Sequence, residues 1–110
     1  MYTKKLAWIT DIHLDSVDAE GLEEFISTMK QASPDSLLIT GDIGDARTIA
    51  YYLKTLEQSL NLPIYFVLGN HDFFRGSIPE VRKEIQKLSH SSDNLYFLDN
   101  LSYVKLSDET

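Results

Sequence analysis

Three short apolar runs, separated by segments of helical spacing, restrict this chain more than any other feature it carries. The runs are residues 5–10, Ser36–Thr40 and residues 64–68. Between them, residues 20–31 set Leu22, Phe25, Ile26 and Met29 at i, i+3, i+4 and i+7, the period of an amphipathic helix. Residues 48–60 repeat the pattern with Ile49, Tyr52, Leu53, Leu56 and Leu60, and residues 78–88 with Ile78, Val81, Ile85 and Leu88. Ser33-Pro34-Asp35 and Asn61-Leu62-Pro63 punctuate the first two helices, since proline cannot continue a helix. Residues 95–98 and 102–106 read as two further short strands around the turn-like Asp99-Asn100. Strand and helix in alternation predict βαβ units and an α/β fold with a parallel sheet. The continuous apolar character of the first three strands predicts burial on both faces. Trp8, Tyr51, Tyr52, Tyr65 and Phe66 are expected to be packing residues rather than a stacking platform.

The residues that follow these strands are more informative than the strands. Trp8-Ile9-Thr10 runs into Asp11-Ile12-His13, Leu37-Leu38-Ile39-Thr40 into Gly41-Asp42, and Ile64-Tyr65-Phe66-Val67-Leu68 into Gly69-Asn70-His71-Asp72. In a parallel sheet the loops at the carboxyl ends of the strands share one edge, where open α/β proteins bind ligands. Asp11, His13, Asp42, Asn70, His71 and Asp72 are therefore expected to converge.

Their chemistry suits divalent cations. Asp11 and His13 are two residues apart, so at an extended strand end their side chains point the same way. Gly41 allows a sharp turn that aims Asp42 inward, and a carboxylate has two oxygens with which to bridge two cations. Asn70 offers a neutral amide oxygen to a second ion. This oxygen and nitrogen set fits Mn, Fe or Zn better than a thiophilic metal. Two such ions about 3.5–4 Å apart lower the pKa of a bridging water and neutralise phosphoryl oxygens. His71, beside them, is placed to stabilise the phosphoryl group or protonate a leaving oxygen, with Asp72 expected to orient its ring.

Composition narrows the alternatives. Acidic residues outnumber basic ones 17 to 10, for a net charge of -7, which disfavours a phosphate-backbone binder dependent on a basic stripe. Nucleic acid stays in view only as a substrate. There is no cysteine, so thiolate ligands and disulfides are excluded. At the N-terminus the apolar run Leu6 to Ile9 is too short for a signal-peptide core or a membrane span. A cytoplasmic protein without membrane attachment is the expectation. Among the remaining polar residues, Asp18 is expected to cap the helix after it, Asp45 to cap or to pair with Arg47, Asp15 to be a loop residue, and Arg75 to be solvated at the surface rather than to meet a substrate phosphate. His90 is expected to be an exposed residue at a helix end.

Asp11-x-His13, Gly41-Asp42 and Gly69-Asn70-His71-Asp72, in that order and each after a strand, resemble the calcineurin-like metallophosphoesterase superfamily. The resemblance runs from residue 5 to about residue 106. It implies a β-sandwich of two sheets with flanking helices, of which this chain corresponds to the N-terminal half as one domain over residues 1–110. It also implies that Asp11 and His13 bind a first metal, Asp42 bridges, Asn70 binds a second, and His71 assists catalysis. The implied reaction is hydrolysis of phosphomonoesters or phosphodiesters at a dinuclear site with bridging hydroxide. The family pattern continues with Gly-His and Gly-His-x-His motifs that this chain lacks. The competing reading is accordingly a metal-binding module, inactive until self-association or a second chain completes the site. A flavodoxin-like cofactor-binding domain is a weaker third reading, because such folds have no use for His13 and the Asn70-His71 pair.

Overall fold

The computed structural model describes residues 5–98. Within them the chain alternates as expected: β1 (Leu6–Ile9), α1 (Ala19–Ala32), β2 (Ser36–Thr40), α2 (Ile49–Leu60), β3 (Ile64–Val67), α3 (Ile78–Ser91) and β4 (Leu95–Phe97). The expected strand over residues 102–106 lies outside the described residues. Local chemistry sets the helix boundaries. Asp18 accepts from the backbone N–H of Gly21 at 2.8 Å and starts α1, as its position predicts. Ser33 and Asn61 end α1 and α2 in the left-handed conformation, and α3 opens with Ser77 bonded to the N–H of Glu80 and proline in its first turn. His90 lies exposed in the last turn of α3.

The four strands form one parallel sheet in the order β1-β2-β3-β4. Successive right-handed crossovers that always step the same way place every helix on the same face. That geometry overturns one expectation. The strands are not buried on both sides. On the helix side, Leu37, Ile39, Ile64, Phe66, Leu95 and Phe97 pack with Leu53, Leu56, Val81 and Ile85 into the core. On the other side lie Trp8, Leu38, Tyr65 and Tyr96, which stand in one row across the sheet by their register.

Trp8 is 69% exposed there, with its indole N–H donating to Thr40 Oγ1 at 3.0 Å. Tyr65 and Tyr96 stack with centroids 5.0 Å apart. Tyr51, on the outer side of α2, is 62% exposed. Trp8 and Tyr51 are thus not core residues, whereas Phe66 is fully buried and Tyr52 packs against the core. The cause is the single-sided helical layer: an apolar strand residue is buried only if its face has a cover.

Candidate metal centre

The loops after β1, β2 and β3 meet at the carboxyl edge of the sheet, and backbone hydrogen bonds stitch them together. Asp11 N donates to Gly41 O, His13 N to Asp42 O and Leu14 N to Ile43 O, at 3.1, 3.0 and 2.8 Å. This ladder carries the first loop along the second. It ends in a 3-10 turn, Leu14–Ser16, whose Leu14 is buried in the core.

The second and third loops are joined by Asp72. Its side chain, fully buried, accepts four backbone N–H groups: Asp42 and Gly69 on one oxygen at 2.8 and 2.9 Å, Ile43 and Gly44 on the other at 2.8 and 2.9 Å. Burial pushes the Asp72 carboxyl up, with the four amides pulling against it. Asp72 therefore does not touch the His71 ring through its carboxylate, as the sequence suggested. Both oxygens are spent on backbone amides, and its work is to hold two loops at a fixed separation.

Two glycines make that separation possible. Gly41 has φ of 110°, and a Cβ there would stand 3.0 Å from Gly69 N, so its left-handed conformation and its crowding both exclude a side chain. A Cβ at Gly69 would fall 2.8 Å from Asp42 N and nearer still to Asp42 Oδ1.

On this frame three of the four expected ligands come together. Asp11, His13 and Asp42 each offer a donor atom, all within 4.8 Å of one another. All three adopt positive φ, at 54°, 43° and 55°, a conformation uncommon outside glycine. Strain of this kind persists where surrounding structure fixes it and clusters at functional sites. A hydrogen bond with Asp42, and then one from the Thr10 hydroxyl, hold the Asp11 carboxyl below its usual range. Asn70 opens the 3-10 turn Asn70–Phe73 and is exposed beside Gly69. The backbone N–H of His71 donates to Asp42 Oδ1 at 2.9 Å, tying the third loop to the Asp42 carboxylate.

The donor set fits a hard or borderline divalent ion. Two carboxylates and an imidazole within reach of one point are oxygen and nitrogen ligands of the kind Mn, Fe and Zn take. The crowding of two carboxylates is what a cation would relieve.

His71 has a partner in Asp15, a residue expected from the sequence to be loop alone. Its Nε2 lies 2.9 Å from Asp15 Oδ2, and this contact, ahead of other influences, raises the His71 pKa. The ring also meets His13 edge-on at a centroid distance of 4.8 Å and Phe74 at 4.7 Å. A signal for Asp15 was present: Asp11, His13 and Asp15 recur at every second residue. Asp45 pairs with Arg47, as one of its two expected roles has it, and closes the turn before α2 rather than capping the helix, whose N-cap is Thr48. Its Oδ1 accepts from the Thr48 hydroxyl at 2.8 Å and Arg47 N at 3.0 Å, and Oδ2 faces Arg75 at 3.6 Å and Arg47 at 4.0 Å. Against the upward push of burial, these hydrogen bonds hold its carboxyl below the usual range. Arg75 is thereby turned to Asp45.

No helix among the described residues is long and apolar enough to cross a membrane. The chain is 37% identical over 82 residues to a UDP-2,3-diacylglucosamine hydrolase of Stenotrophomonas maltophilia, a match covering 63% of this chain and 33% of that protein. It is 33% identical over 81 residues to a probable cyclic nucleotide phosphodiesterase of Synechococcus, covering 64% and 32%. With an uncharacterized metallophosphoesterase of Campylobacter jejuni it shares 29% over 101 residues, covering 88% and 26%. The matches thus span about a third or less of these relatives' length. The family model for calcineurin-like phosphoesterases matches residues 4–109, nearly the whole sequence, and the chain belongs to that family.

Proposed function

We propose that this chain carries the metal-binding half of a phosphoesterase site and hydrolyses a phosphomonoester or phosphodiester with two divalent ions, Mn, Fe or Zn. The observation that carries this reading is the approach of Asp11, His13 and Asp42 within 4.8 Å at the carboxyl edge of the sheet. Asp11 and His13 would hold one ion, Asp42 would bridge, and Asn70 would hold the second. Ions bound there would supply charge neutralisation at the phosphoryl oxygens and activation of a water. His71 stands beside the proposed ligands, its backbone tied to Asp42 and its ring edge-on to His13. Its task is to hydrogen-bond the phosphoryl group or protonate the leaving oxygen. Asp72 supports this chemistry by fixing loop geometry. The family membership and the hydrolase and phosphodiesterase names of relatives support the reaction class.

The test is Mn²⁺ loading, gel filtration and elemental analysis, followed by hydrolysis of bis(p-nitrophenyl) phosphate. Asp42→Asn is expected to lose metal pairing and hydrolysis together. Hydrolysis retained in that variant would sink the assignment.

A second reading has its own support. Among the described residues the proposed second ion has only Asp42 and Asn70 as donors, fewer than the four a zinc-like ion takes. The matches also cover about a third of the relatives' length. In this reading the chain is a half-site, completed by ligands from elsewhere, including a second copy. One bound ion per chain instead of two would favour it.

A further inference from the structure

We propose that Asp15 is the positioning residue for His71, holding the imidazole through Nε2 so that Nδ1 is the nitrogen turned to the substrate. The inference rests on the phosphoesterase reading of the same site and assigns the orienting role to a residue outside the three strand-end motifs.

Asp15 is placed by more than a loop. The residues before it are hydrogen-bonded in series to the loop after β2, and Leu14 beside it is buried in the core. The carboxylate is thus carried on an anchored turn rather than on a mobile side of the site. Its Oδ2 reaches His71 Nε2 at 2.9 Å with both side chains mostly covered, at 18% and 27% exposure. A carboxylate without a proton can only accept, so the contact requires the proton on Nε2. The remaining nitrogen then has one defined role, as imidazole second partners commonly impose.

Among the described residues, neither Asp72 nor Asp45 competes for that role. Both oxygens of Asp72 are occupied by backbone amides. Asp45 is committed to Thr48, Arg47 and Arg75. Asp15 Oδ1, by contrast, is buried with no hydrogen-bond partner among the described residues, so the His71 contact is the hydrogen bond this carboxylate makes there. His13 and Phe74 flank the ring, with centroids 4.8 and 4.7 Å away, and crowd its rotation. The rival interpretation is that His13, Asp15 and His71, whose donor atoms also lie within 4.8 Å of one another, together bind a cation.

The experiment compares the intact Mn²⁺-loaded protein with Asp15→Ala, Asp15→Asn and Asp15→Glu. A positioning role predicts that kcat falls on the order of 10–100-fold in the alanine variant, as for loss of an outer partner of a catalytic or ligating imidazole. KM for bis(p-nitrophenyl) phosphate and Mn content should stay at the wild-type values, and Asp15→Glu should recover part of kcat. Loss of metal from both Asp15→Ala and Asp15→Asn would identify a ligand and overturn the proposal, as would an unchanged kcat.

A second readout needs no turnover. In ¹H–¹⁵N spectra of the imidazoles, assigned with His71→Gln, the His71 Nε2 proton should be shifted downfield in wild type and in Asp15→Glu. It should move or vanish in Asp15→Ala, and identical wild-type and alanine spectra would overturn the placement. A wild-type protein that shows the Nε2 signal without hydrolysing phosphoesters would separate the two ideas: the placement stands and the phosphoesterase reading fails.

Discussion

Asp42 and Asp72 are bound to one another through the backbone: Asp42 N donates to Asp72 Oδ2 at 2.8 Å, while Asp42 turns its own Oδ1 to His71 N at 2.9 Å. One carboxylate is buried as a staple, and the other stands among the donor atoms of Asp11 and His13. Removing the staple leaves four amides of two loops without their acceptor. Each buried unsatisfied group costs about 1–3 kcal/mol, and relaxation toward water recovers some of it. Asp72→Ala is therefore expected to lose about 3–5 kcal/mol of stability, the range for breaking a buried charged partnership. Urea unfolding of metal-free protein measures this. A variant with wild-type stability and slowed hydrolysis would instead return Asp72 to the chemistry.

Gly69 gives a separate handle on the same junction. Its φ of -107° is available to any residue, so its requirement is space alone: a Cβ would meet the backbone and carboxylate of Asp42. Gly69→Ala should displace the Asp42 carboxylate and weaken metal binding while costing roughly 1–3 kcal/mol of stability, as overpacking does. Titration with Mn²⁺, followed by elemental analysis, reads the affinity. Undiminished binding would mean that the loop can yield without moving the ligand.

The order of elements was legible because helical and strand periods differ, and the three-loop convergence followed from the parallel topology. Asp11, His13 and Asp42 could be placed together without coordinates for the same reason. What the residues could not announce was which sheet face has a cover. Trp8 and Phe66 are both aromatic strand residues, yet register puts Phe66 under the helices and Trp8 on the opposite side. The roles of Asp72 and Asp15 were hidden differently. A carboxylate next to a histidine in sequence looks like its partner, but in a 3-10 turn neighbouring side chains diverge. Asp72 points inward to amides, and a carboxylate 56 positions away from His71 takes the ring.

Asp45 provides a control for any effect ascribed to acidity near the site. It sits three residues after Asp42, yet its oxygens serve the Thr48 hydroxyl and the N–H of Arg47 in the turn before α2. Asp45→Ala should cost about 1 kcal/mol, as loss of an intramolecular hydrogen-bond acceptor does, with metal content unchanged. Thermal unfolding and elemental analysis on the same sample decide it; a loss of bound metal would make Asp45 part of the centre.

The Asp15–His71 pair has a pH signature with a definite sign. The hydrogen bond to Asp15 raises the folded-state pKa of His71 above its ordinary 6.5, so the folded protein binds this proton more tightly than the unfolded chain. The resulting stabilisation is complete below the ordinary histidine value and is lost as pH rises through the raised one. In metal-free protein, stability should therefore decline between the ordinary and the raised value more steeply in wild type than in His71→Gln, where the titrating group is absent. Unfolding free energies taken across that window test it. Parallel pH profiles for the two proteins would mean that Asp15 and His71 meet without linkage to folding, and the contact would contribute nothing to stability.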